Sequence, residues 1–325
     1  MRSYPSIPFL LLALLTPSAA SAQAAAIPAD YQAVLTALGK QGDFKDNVLR
    51  VNVPRNDLHV VIDGVATPTA FGFGGWLALT KGTGGMDVMM GDLVLTENEV
   101  NPVMSALLAS GLDATALHNH FFFDTPRIYY MHVHGHGTAA DLATKVKPAL
   151  ALIGATPDER SVGTSGAAAG NDERRGGPSG PPAGRAITGT LDSASLARIV
   201  GYDGEQNGAV YKITIGRPDV PLKEMGASIN SRMGLNTWAA FYGSDADAVV
   251  AGDIAMLDRE VTPVLKSLRA SGIDVVAMHH HMIGVDPQVI FLHYWGKGDA
   301  RTLATAFRSA IDQTGARPKT VAAQR

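Results

Sequence analysis

The residues in this sequence best suited to chemistry are histidines, and they recur at a fixed spacing. Leu117-His118-Asn119-His120 is followed by Met131-His132-Val133-His134, and Met278-His279-His280-His281 is followed by His293, with Trp295 in the place of the fourth histidine. Side chains alternate across a strand, so His118 and His120 project from one face about 6 to 7 Å apart. With a turn near Asp124-Thr125-Pro126, the spacing predicts a hairpin in which His132 lies opposite His120 and His134 opposite His118, all four on one face. His279, His281 and His293 repeat the arrangement.

Imidazoles crowded on a partly dry face cannot all be charged; they stay neutral, hydrogen-bond one another, or share a cation. Ring nitrogens at about 2.0 to 2.1 Å from a divalent metal meet that need. The chain has no cysteine, so the expected ion is one that nitrogen ligands suit, zinc or copper. A coordination position left open by three histidines would activate water, which points to hydrolysis. Two other readings stay open: a ligand pocket lined by neutral histidines, and a hydrogen-bonded network at an interface.

Glu99 and Glu260 are the carboxylates expected beside this site, as ligand or general base. Thr96-Glu97-Asn98-Glu99 also fits a capping box, a reading that Leu257 in place of Thr96 opposes in the second copy. Asp92 and Asp253, each after a glycine, read as turn or bulge residues, and Arg55-Asp57 and Arg217-Asp219 as loop ion pairs.

The elements that must position these residues occur twice. Residues 91–144 shifted by 161 positions onto 252–305 show more than twenty identities without a gap, and with a one-residue gap Trp76 pairs with Trp238. Val48–Val53, Leu58–Ile62, Trp76–Thr80 and Val88–Leu95 read as strands. Val100, Val103, Met104, Leu107 and Leu108 form one helical stripe closed by Gly111; a hairpin follows, then a helix carrying Leu142, Val146, Leu150 and Ile153. The expected fold is α+β: a tandem duplication of a module with an antiparallel sheet and two helices packed on one face. The histidine face also carries Ile128, Tyr130, Val289 and Phe291, so something must cover it, either the other module or a ligand.

Four segments follow: a signal peptide over 1–22, a first module over 23–154, a linker over 155–185 and a second module over 186–325. Arg2, the apolar run Ile7–Leu15 and Ala20-Ser21-Ala22 predict cleavage after Ala22 and a periplasmic or secreted product. The linker holds seven Gly, five Ala, four Pro and three Ser, too little apolar surface to offset its ordering entropy. With 27 basic and 30 acidic residues and a net charge of −3, no basic excess exists to hold nucleic acid. No apolar stretch suits a transmembrane helix, and no cysteine offers a lipidation site. The expected partner is a small molecule of unspecified identity, as substrate or ligand; the alternative to an enzyme is a non-catalytic module that binds a ligand or partner in the cleft between the two repeats.

Gly91-Asp92-Leu93-Val94-Leu95-Thr96-Glu97-Asn98-Glu99-Val100-Asn101-Pro102-Val103, with Leu117-His118-Asn119-His120 and Met131-His132-Val133-His134-Gly135, resembles the bacterial LppY/LpqO-like family, a domain of unknown function. The second copy resembles the same pattern. The resemblance implies an exported bacterial protein and brings no established activity or catalytic residues. The family's lipoprotein members carry a cysteine that this chain lacks.

Overall fold

The computed structural model describes residues 26–155 and 184–316. The expected signal peptide and nearly all of the expected linker lie outside the described residues.

In the first module α1 (Ala29–Leu38) leads into β1 (Gly42–Lys45), β2 (Val48–Pro54), a ribbon of β3 (Val60–Ile62) and β4 (Val65–Thr67), β5 (Gly74–Lys81) and β6 (Asp87–Thr96). Then come α2 (Glu97–Ala109), β7 (Asp113–His118), the short β8 (Asp124–Thr125), β9 (Ile128–Gly137) and α3 (Ala139–Ala151). The second module repeats the order: α4 (Ser193–Val200), β10 (Gly204–Asn207), β11 (Val210–Gly216), a ribbon of β12 (Leu222–Glu224) and β13 (Ala227–Ile229), β14 (Asn236–Gly243), β15 (Ala248–Met256), α5 (Asp258–Ala270), β16 (Asp274–His279), β17 (Ile290–Gly298) and α6 (Ala300–Ile311). Each module has one six-stranded antiparallel sheet, ordered β1-β2-β5-β6-β9-β7 and β10-β11-β14-β15-β17-β16. The expected α+β duplication is therefore the observed fold, with a third helix at the start of each module that the periodicity did not reveal.

Strand alternation divides each sheet into two faces. Leu49, Val51, Leu77, Leu79, Leu93 and Leu95 face the helices, against which Val103, Leu107, Leu142 and Val146 pack. The other faces of the two sheets press on each other: Val94, Ile128 and Tyr130 join Ala240, Ala251 and Trp295 in one apolar cluster, and Val48, Ala78 and Met90 join Ala255, Met282 and Phe291 in another. The molecule thus has four layers, helices, sheet, sheet and helices, with the histidine faces innermost. The two ribbons cross over, β3–β4 packing on the second sheet and β12–β13 on the first. Each covers apolar residues that an isolated module would leave in water.

Gly91 and Gly252 are needed where neighbouring strands and side chains come close. A Cβ at Gly91 would lie 2.6 Å from Leu77 Cδ2 and 2.9 Å from the Trp76 carbonyl oxygen, and one at Gly252 would collide with the Trp238 carbonyl oxygen and the Tyr294 ring.

Candidate metal centre

The hairpin positions the histidines in a register different from the expected one. His118 pairs with Tyr130 and Ala116 with His132, because the connection over 119–127 is long and β7 ends at His118. The displacement from the expected pairing is an even number of residues here, so the side chains keep their face. Beyond a bulge between Ala114 and Ala116, Asp113 pairs with His134. His120 lies past the strand end and is still buried.

Because the two sheets are face to face, the histidines of the two modules form one cluster. His118 and His279, equivalent residues, stack with ring centroids 3.6 Å apart. His120 stacks on His293 at 3.6 Å, and its equivalent His281 on His132 at 4.0 Å. The groups whose ligand atoms lie within 4.8 Å of one another are His118, His120 and His293, and His118, His132 and His279, each drawing on both modules. Neither triad is confined to one module: both are built across the interface.

Burial fixes the protonation state. The His118 imidazole is pushed down to about 4 by loss of water, opposed weakly by its contact with the Asn119 carbonyl. Burial, reinforced by the neighbouring imidazoles, holds His120 and His279 well below the ordinary value. His132, His281 and His293 are lowered likewise, burial first. Neutral imidazole is the form that ligates metal. His293 Nδ1 donates to the Gly252 carbonyl at 3.0 Å, leaving Nε2 as its free lone pair. Nε2 of His118, His132 and His293, and both ring nitrogens of His120, His279 and His281, are buried without a hydrogen-bond partner among the described residues. Such orphaned polar atoms are costly unless something binds them.

His134 does not join this cluster. It faces His136 and Glu224 of the β12 strand, with Nε2 2.9 Å from Glu224 Oε2. Nor are Glu99 and Glu260 brought to the histidines. Glu99 accepts from Arg55 at 2.6 and 3.2 Å, from the Thr96 amide at 2.7 Å and from the Gly154 amide at 2.7 Å. Glu260 accepts from Arg217 at 3.0 and 3.1 Å, from the Leu257 amide at 2.9 Å and from the Gly315 amide at 2.9 Å. The glutamate half of the capping box needs only a backbone N–H at the N-cap, so Leu257 does not prevent it. Arg55 and Arg217 also hold Asp57 and Asp219, as expected of loop pairs, and each network ties the start of one helix to the end of its module.

Asp92 and Asp253 are not turn residues. They sit in regular ladder positions, Asp92 between Trp76 and His132, and Asp253 between Trp238 and His293. One row across each sheet therefore reads Asn52, Trp76, Asp92, His132, Ala116 and Thr214, Trp238, Asp253, His293, Ala277. Asp253 Oδ2 lies 3.5 Å from His281 Nε2. Burial pushes the Asp92 carboxyl up to about 8 and Asp253 well above its ordinary range.

These rows border a cavity of about 540 Å³ between the modules, reaching His120, His281 and His293. The Arg50 guanidinium lies over the Trp76 ring at 3.6 Å, and the Lys212 ammonium over Trp238 at 4.1 Å. Sequence reasoning missed both cations. A signal existed: each is a charged residue at an otherwise apolar strand centre, Val48-Leu49-Arg50-Val51 and Val210-Tyr211-Lys212-Ile213, at corresponding positions of the repeat.

No curated protein matches the chain. Two solved structures overlap weakly with it: a trimeric bacterial microcompartment shell protein, PduB, at 12% identity over 83% of this chain and 88% of that chain with a TM-score of 0.20, and EtuB from Clostridium kluyveri at 8% over 84% and 90% with a TM-score of 0.18. Scores this low carry no argument about fold or function. A family profile, by contrast, matches twice, over residues 32–152 and 194–313, one match in each sheet-and-helix module. The chain belongs to the family described as Domain of Unknown Function (DUF1259), as two tandem copies.

Proposed function

We propose that this is an exported protein that binds a divalent transition metal, zinc or copper, in the six-histidine cluster between its modules, with the adjoining cavity receiving a small molecule. The observation that carries the reading is the convergence of His118, His120, His132, His279 and His293 from both modules in two overlapping ligand groups, with His281 stacked on His132 beside them and nine buried ring nitrogens lacking partners among the described residues. A tetrahedral set of bonds of ~2.1 Å separates ligand atoms by about 3.4 Å, so triads already within 4.8 Å need contract by no more than about 1.4 Å.

The cavity supports substrate or ligand binding at the same place. Its volume falls in the ordinary range for small-molecule sites, and it brings aromatic, cationic and carboxyl groups beside three of the histidines. If an open coordination position carries water, the carboxyl groups placed to handle its proton are Asp92 and Asp253 rather than Glu99 and Glu260. A non-catalytic binding protein is the second reading, favoured by the cation-on-tryptophan pairs, which suit recognition as well as chemistry. Kinship with LppY/LpqO-like proteins and export rest on the histidine motifs and the leader-like first 22 residues.

The test is elemental analysis of tag-free protein, wild type against a His120→Ala/His293→Ala variant. Wild type should carry zinc or copper in excess of what the variant holds; equal metal in both after zinc reconstitution overturns the metal reading of this cluster and leaves the binding module. Turnover that appears only with loaded metal in a screen of hydrolysable esters and amides separates the enzyme from the binding protein.

A further inference from the structure

A second polar set lies at the crossing of the β12–β13 ribbon over the first sheet. His134 Nε2 is 2.9 Å and His136 Nε2 3.8 Å from the two oxygens of Glu224, and the imidazoles meet edge to face with centroids 4.7 Å apart. The contacts are short, yet His134 Nε2, His136 Nε2 and Glu224 Oε2 are buried without a hydrogen bond in acceptable geometry among the described residues. Three ligand atoms from two modules thus lie within 4.8 Å of one another.

The duplication supplies an internal control. In the equivalent crossing, of β3–β4 over the second sheet, His134, His136 and Glu224 correspond to Trp295, Lys297 and Ile62. There Ile62 and Trp295 share an apolar cluster, and Lys297 donates to the Asp63 carboxylate at 2.9 Å and the Asp63 carbonyl at 3.1 Å. That ribbon is fastened by apolar contact and a direct ion pair. At the other crossing Leu222, Ala227 and Ile229 keep apolar contact with the first sheet, but the positions of Ile62, Trp295 and Lys297 are taken by a carboxylate and two imidazoles with no cation between them among the described residues. The ribbon approaches closely there in any case, since the Thr83 amide and hydroxyl both donate to the Met225 carbonyl, at 2.8 and 3.1 Å.

We propose that His134, His136 and Glu224 form a separate divalent-metal site that clamps the β12–β13 ribbon of the second module to the first sheet. Two imidazoles and one carboxylate are a borderline donor set suited to zinc-class ions, with the remaining positions left to water. The i, i+2 spacing on β9 puts both rings on one face, and the carboxylate arrives from the other module, so the ion holds the modules together as the Lys297–Asp63 pair does at the pseudo-symmetric position.

The experiment is zinc titration of the full chain by calorimetry, with metal content after dialysis. His134→Ala/His136→Ala and Glu224→Gln should each lose one zinc equivalent relative to wild type, while His120→Ala/His293→Ala keeps it; that contrast separates failure of this site from failure of the central cluster. Because the double variant could loosen the fold, His136→Lys is the second test. It installs the cation found at the other crossing, here beside the Glu224 carboxylate, and should keep the wild-type thermal midpoint of the metal-free protein while losing the equivalent. Hydrogen exchange across 222–229 should slow by about tenfold on adding zinc to wild type and not to Glu224→Gln. Unchanged zinc stoichiometry in Glu224→Gln and His136→Lys overturns the proposal, as does protection of the ribbon that rises on acidification and is indifferent to zinc, the signature of a protonated histidine–glutamate pair.

Discussion

Replacing Glu99 distinguishes the role its position gives it from the one its motif suggests. In the structure its carboxylate and the Arg55 guanidinium are each 3% exposed, and four donors converge on it: two from Arg55 and the amides of Thr96 and Gly154. Removing one member of a buried ion pair costs about 3 to 5 kcal/mol, because the partner's charge is left without compensation. Arg55 retains Asp57 and the Val94 carbonyl, which pulls the estimate toward the lower end. Two freed amides, each worth about 1 kcal/mol, pull it back up, so Glu99→Ala should cost about 4 kcal/mol. That is a large share of the ~5 to 15 kcal/mol by which a domain is stable. Glu99→Gln keeps acceptor capacity and loses the charge, and should cost about half as much. The assay is urea denaturation followed by circular dichroism, beside metal content on the still-folded fraction. Stability should fall with bound metal per folded molecule unchanged. A Glu99→Gln protein with full stability and lost metal or turnover would refute the structural assignment, and Glu260 stands under the same test through Arg217.

Further outcomes follow from the same geometry. His118 is held to about 4 against an ordinary value near 6.5, so the unfolded chain takes up its proton first as pH falls. The metal-free protein should therefore be most stable above about pH 6.5 and lose about 2 kcal/mol to this group alone by about pH 5, a slope that His118→Gln should flatten in denaturation series. Gly252→Ala drives a Cβ into the Trp238 carbonyl and the Tyr294 ring and should cost about 3 kcal/mol, read as a lowered thermal midpoint. Asp253→Asn removes the carboxyl group beside His281 and should weaken zinc binding about tenfold by competition with a chelating dye; unchanged affinity would remove Asp253 from the centre.

Much of the site was legible because the chemistry is periodic. Alternation in Leu117-His118-Asn119-His120 and Met131-His132-Val133-His134 puts each set of imidazoles on one face whatever the register, which is why a hairpin pairing different from the expected one still left them together. The apolar stripe of α2 and its closing glycine were equally local, and so was the repeat itself. Glu99 misled because a carboxylate at N3 of a helix looks the same in one dimension whether it caps the helix or turns toward a site. Only the distance to Arg55, 44 positions earlier, decides.

The chain's own order of residues determined the duplication, the α+β class and the presence of a covered histidine face, since those depend on periodicity and on contacts between neighbours along the chain. What lay across that face could be settled only by packing. The modules meet through a pseudo-two-fold arrangement, so the partners of His120 and His132 come from the other half, His293 and His281, and residues that looked ordinary, Asp92, Asp253, Arg50 and Lys212, become the walls of a shared cavity. The physical reason is that burial of two apolar sheet faces is non-directional. It specifies that they be covered, while complementarity of ribbons, glycines and rings spread over the whole interface fixes which atoms then meet.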